Sequence, residues 1–224
     1  MASVVEVWRY PVKSMGGERL DSCAVTAAGL EGDRRWALVD GTPNRAGKFL
    51  SIREEDRLMT YRARLDGDSV QVVDPNGETH RLDEGLVSRI AGQASRPLTL
   101  REREGANFDD SPVLVVNLAT VATFGLRAGM RVDHRRFRAN LYVDGFAADE
   151  EVGWLSRRLR VGEVELEAAK RCERCVVITH DPDTTVRSPA LLRVLTETYD
   201  TYMGVYCHVT RPGRVAEGDQ LQFG

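Results

Sequence analysis

Short runs of β-type residues, separated by tight-turn signals, dominate the first part of the chain. Asp66-Gly67 separates a run at 58–65 from one at 69–73, and Asp74–Gly77 precedes a third run at 79–82. Asp-Gly is a strong hairpin signal, because glycine readily adopts the positive φ that a two-residue turn requires. One short helix is expected at 83–91. Residues 1–95 are therefore predicted to be mostly β.

The second part of the chain alternates strand-like and helical patterns. Asn117 is a favourable cap for a helix at 118–126, and Ser188 for a helix that begins at Pro189 and ends at Tyr199. Strands are predicted at 97–104, 113–116, 136–143, 164–168, 176–179, 205–209 and 221–223, with a polar loop at 105–110. The predicted fold class is α+β and β-rich, with a barrel and peripheral helices over residues 96–224 and a smaller β-rich subdomain over residues 1–95.

Charge and composition exclude several classes of protein. The formal net charge of −3 over 224 residues provides no general attraction for nucleic acid or for an anionic membrane surface. No apolar run approaches the roughly 20 residues needed to span a bilayer. The first residues lack the basic and apolar segments of a secretion signal. Four cysteines without such a signal predict free thiols in a reducing cytoplasm.

The stretch from Lys170 to Thr184 is the strongest candidate for a functional site. It holds Cys172 and Cys175, and basic residues flank both thiols. An apolar run at 176–178 follows, so Cys175 is predicted to lie at the mouth of a buried strand, near guanidinium groups. Cationic neighbours favour the thiolate, which serves as a nucleophile or as a metal ligand.

The Cys172 and Cys175 pair is open to other interpretations. A zinc ribbon needs a second pair, and Cys23 and Cys207 stand alone in the sequence. A thioredoxin-type pair opens a helix, whereas a β-branched run follows here. In an extended segment the two residues lie about 10 Å apart, too far for a disulfide. An ordinary buried cysteine remains an alternative.

Arg136–Asn140 has an alternation that suits an anion site. On a strand, Arg136, Arg138 and Asn140 would share one face, opposite an apolar face that begins with Phe137. Arginine forms paired hydrogen bonds to phosphate, but a solvated charged face gives the same pattern.

Two further cationic elements lie in the first part of the chain. Lys13-Ser14 opens a glycine-containing loop without the pattern of a P-loop, and Arg34 follows a Gly32-Asp33 turn. Each of these signals is weak when it is taken singly.

Five motifs in one order along nearly the whole chain resemble those of a known family. They are Tyr10–Ser14, Gly32–Trp36, Ser111-Pro112, Arg136–Asn140, and the stretch from Arg171–Cys175 through Asp181–Thr184. The set resembles the molybdenum cofactor sulfurase C-terminal (MOSC) domain family, with its N-terminal β-barrel domain over residues 1–95 and the MOSC domain over 96–224. Its most similar members by motif are the amidoxime-reducing component and bacterial reductases of N-hydroxylated bases.

The resemblance implies a set of cofactor-binding residues. Cys175 would be the thiolate ligand of molybdenum, which suits a soft metal centre. Glu173 and Arg174 would flank the molybdenum cofactor, and Cys172 would be structural. The pterin and its phosphate would be held by Lys13, Ser14, Arg34, Ser111, Arg138 and Asn140. Asp110 stands where threonine is usual in the family, and a carboxylate beside a phosphate is repulsive unless it is paired or turned away.

The resemblance also implies a function. The leading hypothesis is a molybdenum-dependent oxidoreductase that reduces amidoximes, hydroxylamines or N-hydroxylated bases. Electrons would come from an external partner, a small haem or iron–sulfur carrier with its reductase. Two alternatives remain open: a non-catalytic carrier of the cofactor, and a sulfur-transfer protein that holds a persulfide on Cys175.

Overall fold

The computed structural model describes residues 1–103, 105 and 107–224. Its α-helices are α1 (Glu84–Ala94), α2 (Leu118–Ala128) and α3 (Pro189–Tyr199). The first nine strands are β1 (Ser3–Arg9), β2 (Glu18–Leu20), β3 (Ser22–Thr26), β4 (Gly29–Leu30), β5 (Trp36–Asp40), β6 (Arg62–Asp66), β7 (Ser69–Val73), β8 (Thr79–Arg81) and β9 (Leu98–Glu102). The others are β10 (Val113–Asn117), β11 (Leu141–Asp144), β12 (Arg158–Val161), β13 (Val164–Glu173), β14 (Tyr202–Arg211), β15 (Gly213–Ala216) and β16 (Leu221–Phe223).

Eight strands form one sheet that curls into a barrel. Their order is β16-β12-β13-β14-β10-β11-β1-β2. The barrel closes where the beginning of β1 meets the segment before β16. There Val4 N–H donates to the Asp219 carbonyl at 2.9 Å, and Leu221 N–H donates to the Ala2 carbonyl at 3.0 Å. Closure leaves fewer free backbone groups at the sheet edges, and it joins the two ends of the chain.

The central strand β10 is buried on both faces. Val113 and Val115 point into the barrel, whereas Leu114 and Val116 point outward. The outward face is covered by α2, which contributes residues such as Phe124. The Asn117 side chain accepts a hydrogen bond from Ala119 N–H at 3.1 Å, so it ends the strand and caps the helix. A continuous apolar run is what a strand covered on both sides requires.

Smaller sheets complete the first half of the chain. β5 pairs with β9, and β6, β7 and β8 form a meander. Its first hairpin turns at Gly67-Asp68, one residue beyond the predicted Asp66-Gly67, because Asp66 pairs with Ser69. These sheets enclose a second core with α1, to which Leu38, Leu58 and Ile90 contribute. A third group, β15-β3-β4, joins the two halves.

The α+β, β-rich fold class is confirmed, and the three predicted helices are present. α1 and α2 extend to Ala94 and Ala128 and end in left-handed residues, as is common at helix C-termini. Ser188 makes no side-chain capping bond, so that part of the prediction is wrong. The strand predicted at 97–104 is observed as β9; Glu104, and Ala106 in the predicted loop, lie outside the described residues.

Two predicted strands are wrong near the candidate site. Residues Val176–Thr179 form a single turn of 3₁₀-helix, in which the Thr179 hydroxyl donates to the Val176 carbonyl at 2.7 Å. His134–Phe137 form another 3₁₀ turn, because the Asp133 side chain accepts from Arg135 N–H at 2.8 Å and bends the chain. Only β11 remains of the strand predicted at 136–143.

The division of the chain at residues 95 and 96 stays a prediction. β1 and β2 lie in the large sheet with strands of the second half, so hydrogen bonding crosses this boundary extensively. Each of the three α-helices has eleven residues, and none in the described part of the chain is long and apolar enough to cross a membrane.

Candidate functional site

A cleft opens where segments of the two halves meet. The first half contributes Lys13, Ser14 and Arg34, and the second half contributes Arg138 and Cys175. The cleft encloses about 880 Å³ of space, part of it open to solvent. Nine of the ten residues predicted for the site line this cleft: Lys13, Ser14, Arg34, Ser111, Arg138, Asn140, Glu173, Arg174 and Cys175.

Cys175 occupies the turn between β13 and the 3₁₀ segment at 176–179. Its backbone is extended, and its carbonyl accepts from Ile178 N–H at 3.3 Å. Ile178 is buried and anchors the turn. Cys175 is partly exposed, whereas Cys23, Cys172 and Cys207 are buried, and all four are free thiols. The cysteine singled out from the sequence is therefore the one that solvent reaches.

Arg34 is fixed by a buried network at the inner wall. It pairs with Asp33, and its Nη2 donates to the Arg138 carbonyl at 3.0 Å. Asp33 also accepts from Tyr10 N–H at 2.7 Å and from Asn140 Nδ2 at 3.0 Å. Arg34 has a positive φ of 49°, held by a 2.8 Å bond from its N–H to the Tyr10 carbonyl. The motif residues at 32–36 and at 136–140 thus meet around one carboxylate.

Arg138 lies beside Arg34, and its positive charge is less well compensated than that of Arg34. The two guanidinium carbons lie 4.5 and 4.9 Å from the centre of the Tyr10 ring, so that both cations use the same aromatic group. Burial, assisted by the positive charge of Arg34, lowers the pKa of Arg138 to about 10. Arg138 remains charged at neutral pH, and an anion between the two arginines would relieve their repulsion.

Lys13 extends the positive wall toward the loop before β10. Its Nζ donates to the Asn107 carbonyl at 2.8 Å and to Asp109 at 2.7 Å. Burial lowers the pKa of Lys13, and the neighbouring Asp109 opposes that shift. Ser14 follows with a positive φ of 71°, which directs the chain into the loop beside the cleft.

Arg174 and Cys172 form part of the cleft floor. Arg174 Nη1 donates to the Cys172 sulfur at 2.8 Å, and Nη2 donates to the Phe137 carbonyl at 2.6 Å. The buried Nε of Arg174 has no hydrogen-bond partner among the described residues. Cys172 packs in the core beneath the cleft, as expected for a structural residue. An unpaired buried donor is costly, so this N–H is suited to an acceptor on a ligand.

Asp110 is the predicted site residue that does not line the cleft. It pairs with Lys170 and accepts from the Ser111 hydroxyl at 2.8 Å. It lies instead in a neighbouring depression with Lys170 and Tyr202. The hydrogen bonds from Lys170 and Ser111 outweigh the effect of burial and lower the pKa of Asp110. The expected repulsion of a phosphate is thus avoided, and its role in cofactor binding stays a prediction without support from its position.

The strand-face argument for Arg136 is wrong. Arg136 is 4% exposed and donates to the Thr179 carbonyl at 2.9 Å and to Asp181 at 3.1 Å. It therefore supports the segment after Cys175 and does not share a face with Arg138. Arg138 and Asn140 do meet at the cleft, because a positive φ of 53° at Arg138 reverses the chain between them and the preceding turn.

Several cleft residues had no recognisable signal in the sequence. They are Ser51, Ile52, Arg53, Phe108, Asp109 and Tyr206. The described lining includes five cationic side chains, Lys13, Arg34, Arg53, Arg138 and Arg174, but only two carboxylates, Asp109 and Glu173. A positively charged cleft with one accessible thiol is suited to an anionic ligand that carries a soft, thiophilic metal.

Comparison with known families decides the classification. The profile of the MOSC domain matches residues 99–222, and the profile of the MOSC N-terminal beta barrel domain matches residues 1–103. The chain belongs to the MOSC domain family. The predicted resemblance is confirmed.

Curated relatives of this MOSC protein carry two kinds of name. Mitochondrial amidoxime-reducing component 1 of Homo sapiens is 27% identical over 240 residues, which cover 84% of this chain and 69% of the relative. Molybdenum cofactor sulfurase of Caenorhabditis elegans is 24% identical over 250 residues, covering 99% of this chain but 35% of the relative. The MOSC protein thus has relatives named for molybdenum cofactor chemistry and for amidoxime reduction.

A solved structure supports the fold. The YUAD protein from Bacillus subtilis matches with a TM-score of 0.57 and 16% sequence identity, covering 100% of this chain and 96% of that chain. At this level of identity the likeness concerns the arrangement of the backbone alone.

Proposed function

We propose that this MOSC protein binds a molybdenum cofactor and reduces N-hydroxylated compounds, such as amidoximes, hydroxylamines or N-hydroxylated bases. The observation that carries the proposal is the meeting of the partly exposed Cys175 thiol with the cations Arg34 and Arg138 in one cleft. The relative named for amidoxime reduction supports the choice of substrate class. The alternative of an ordinary buried cysteine does not suit the exposure of Cys175.

The donors of the cleft fit such a cofactor. Arg34, Arg138 and Lys13 would hold its phosphate, because each offers charge-assisted hydrogen bonds. Asn140 and Ser111 supply neutral polar groups, and the free Nε of Arg174 would donate to an acceptor of the pterin. Cys175 would provide the thiolate ligand. When bound, the cofactor supplies two-electron transfer of an oxygen atom at molybdenum.

The protein's own contribution is positioning and charge. The inner wall is held by Asp33, Tyr10 and Asn140, so little reorganisation accompanies binding. The 3₁₀ turn after Cys175 places Val177 in the lining of the cleft, where an apolar side chain limits water near the thiol.

We propose that electrons come from an external carrier, a small haem or iron–sulfur protein with its reductase. The cytoplasm is the expected location, since all four thiols are free.

The test begins with protein made in a host that synthesises the cofactor. Bound molybdenum and pterin are measured for the wild type, Cys175→Ala and Cys172→Ser, and turnover of benzamidoxime is followed with a chemical electron donor. Cys175→Ala should lose bound molybdenum or turnover, with the circular dichroism spectrum unchanged. Cys172→Ser keeps an acceptor for Arg174 and should retain most of both. Wild-type levels of metal and turnover in Cys175→Ala would contradict the assignment of Cys175 as the thiolate ligand.

A second candidate function is sulfur transfer through a persulfide on Cys175. The exposure of Cys175 and the match to a molybdenum cofactor sulfurase favour it. This function would require a persulfide that is transferred to an acceptor, and it would not require turnover of an N-hydroxylated substrate. Mass spectrometry of protein incubated with a cysteine desulfurase and its sulfur donor L-cysteine would distinguish the two, since a persulfide on Cys175 with no benzamidoxime reduction would favour transfer.

A further inference from the structure

A tight turn, Ser51–Glu54, enters the cleft from the first half of the chain. Glu54 Oε2 accepts from the Ser51 N–H at 3.0 Å and from its hydroxyl at 2.6 Å. Arg45 Nη2 pairs with Glu54 Oε1 at 3.0 Å, and Ile52 is buried. These contacts fix the backbone of the turn. Arg53, near its tip, is therefore presented to the cleft from a rigid support.

The charge of Arg53 has few competing partners. Asp109, which lines the same cleft, pairs with Lys13 at 2.7 Å, and Glu54, the next residue along the chain, pairs with Arg45 at 3.0 Å. Arg53 is exposed and lines the same cleft as Cys175.

The inner cations of the cleft differ from Arg53 in their environment. Arg34 is tied to Asp33 and to the Arg138 carbonyl, and Arg138 packs on Tyr10. Under the proposed function these groups hold the cofactor. Arg53 lies on the exposed side beside Cys175, so its guanidinium is available to a molecule that approaches the thiol from solvent.

We propose that Arg53 is a substrate-recognition residue. It favours N-hydroxylated compounds that bear an oxyanion (a carboxylate or a phosphate) over neutral compounds. This inference rests on the proposed function. A guanidinium forms two parallel hydrogen bonds to either oxyanion, and the fixed turn lowers the entropy lost when that contact forms. No other cation of the cleft combines exposure with a free guanidinium among the described residues.

A competing role for Arg53 is to act on the Cys175 thiol alone. In that case Arg53 would alter the reactivity of the thiol toward every reagent to the same extent. Recognition of an oxyanion makes a different prediction, because only negatively charged reagents gain from the guanidinium. The ratio of the rates for an anionic and a neutral reagent of similar size separates the two roles.

The first experiment measures this ratio in the cofactor-free chain. Alkylation of Cys175 by iodoacetate and by iodoacetamide is followed by mass spectrometry for the wild type and Arg53→Gln. The iodoacetate-to-iodoacetamide ratio should fall by about two- to fivefold in Arg53→Gln, the size expected for one exposed ionic contact. A ratio equal to that of the wild type would overturn the proposal, whether or not both rates change together.

Matched variants control this measurement. Arg57→Gln removes an exposed arginine four positions along the chain that does not line the cleft, and it should leave the ratio unchanged. Arg53→Lys keeps the charge and should restore most of the ratio. An equal fall in Arg57→Gln would reveal a general charge effect and would also overturn the proposal. Cys175→Ala identifies the labelled thiol.

The second experiment uses the cofactor-loaded protein. Values of kcat/KM are compared for benzamidoxime and 4-carboxybenzamidoxime, and for N4-hydroxycytidine and its 5′-monophosphate. The wild type should prefer the charged member of at least one pair, and the pair that shows this preference tells whether carboxylate or phosphate is recognised. Arg53→Gln should lose that preference. Turnover with a preference unaltered in Arg53→Gln overturns the proposal. If none of the four compounds is reduced, the proposed function fails, and oxyanion recognition is decided by the alkylation ratio.

Discussion

Two clusters of charged residues in this molecule contain the same residue types but have different roles. Around Asp40, whose side chain is fully buried, Arg45 and Arg96 bind one carboxylate oxygen at 3.0 and 2.9 Å. Hydrogen bonds from Thr42 and from these arginines hold the pKa of Asp40 well below its usual range. Around Arg138, by contrast, positive charge exceeds negative charge, and the pKa of Arg138 is lowered. The first cluster is complete within the protein, whereas the second leaves positive charge for a ligand.

The difference teaches how a folding contact is distinguished from a binding contact in one chain. A cluster that stabilises the fold has matched its charges and hydrogen bonds, so its removal costs stability. A cluster with excess charge costs stability to maintain, and its removal costs ligand affinity. The following variants test this distinction.

The largest effect on folding is expected for Asp40→Ala. Removing this carboxylate leaves Arg45 and Arg96 crowded without their common partner, and breaking a buried ion pair typically costs about 3 kcal/mol or more. Urea unfolding of the cofactor-free protein measures the loss. Cofactor affinity of the remaining folded protein should stay within about threefold of wild type. A loss below about 0.5 kcal/mol would show that the arginines are solvated without Asp40.

Arg138→Gln should give the opposite result. Loss of charge-assisted hydrogen bonds worth about 1.5–3 kcal/mol should weaken cofactor binding by about ten- to a hundredfold. The melting temperature of the cofactor-free protein should not fall, because the variant relieves the repulsion from Arg34. Arg160→Gln is the control, since Arg160 is exposed on β12 and lies outside the cleft. Equal affinities of the two variants would place Arg138 on an ordinary charged surface.

Glu151 provides a buried carboxylate without the cations of the Asp40 cluster. It is 3% exposed and accepts from Thr120 at 2.7 Å and Asn117 at 3.1 Å. Burial raises the pKa of Glu151 above 4.5, and these hydrogen bonds only partly oppose the shift. The protonated form is therefore favoured in the folded state. The contribution of protonated Glu151 to stability is complete below about pH 4.5. It is lost as the pH rises through the pKa that Glu151 has in the folded protein.

Glu151→Gln should consequently stabilise the protein at pH 8, because glutamine cannot ionise. The gain should diminish as pH falls toward 4. Denaturant unfolding at several pH values measures the dependence. A constant difference between variant and wild type over this range would show that ionisation of Glu151 is not the cause.

The smallest effect is expected for Asp110→Asn. Asp110 and its partner Lys170 are partly exposed, with side-chain exposures of 32% and 55%. Such pairs contribute about 0.2–1 kcal/mol, and Asp110 lies outside the cleft. Unfolding free energy and cofactor affinity should both remain close to wild type. A tenfold change in cofactor affinity would show that Asp110 takes part in cofactor binding.

The sequence predicted local features well where one residue determines them. The α2 helix begins where the Asn117 cap predicted it. The residues gathered in the cleft were identified through the family resemblance, because Lys13, Arg34 and Arg138 each give only a weak local signal. No rule of spacing would have united three chain segments that meet only in the folded protein.

The errors also have physical causes. The alternating residues from Arg136 to Asn140 resemble a strand, but the Asp133 cap and the positive φ of Arg138 replace it with a turn. Apolar residues at 176–179 fit a strand equally well, and hydrogen bonds back to Cys175 and Val176 decide for a 3₁₀ turn. Arg53 was missed because an isolated exposed arginine carries no periodic signal, and its proximity to Cys175 arises from tertiary structure.

The closure of the barrel has a consequence for the order of events during synthesis. Val4 pairs with Val143 in β11 and bonds to Asp219 just before β16, so the first strand emerges from the ribosome long before its partners. Contacts that are so distant in sequence form late. Arg34 and Cys175 are likewise separated until most of the chain has been made. A growing polypeptide therefore has no finished cleft to offer, and under the proposed function the cofactor would join it only after translation of these segments is complete.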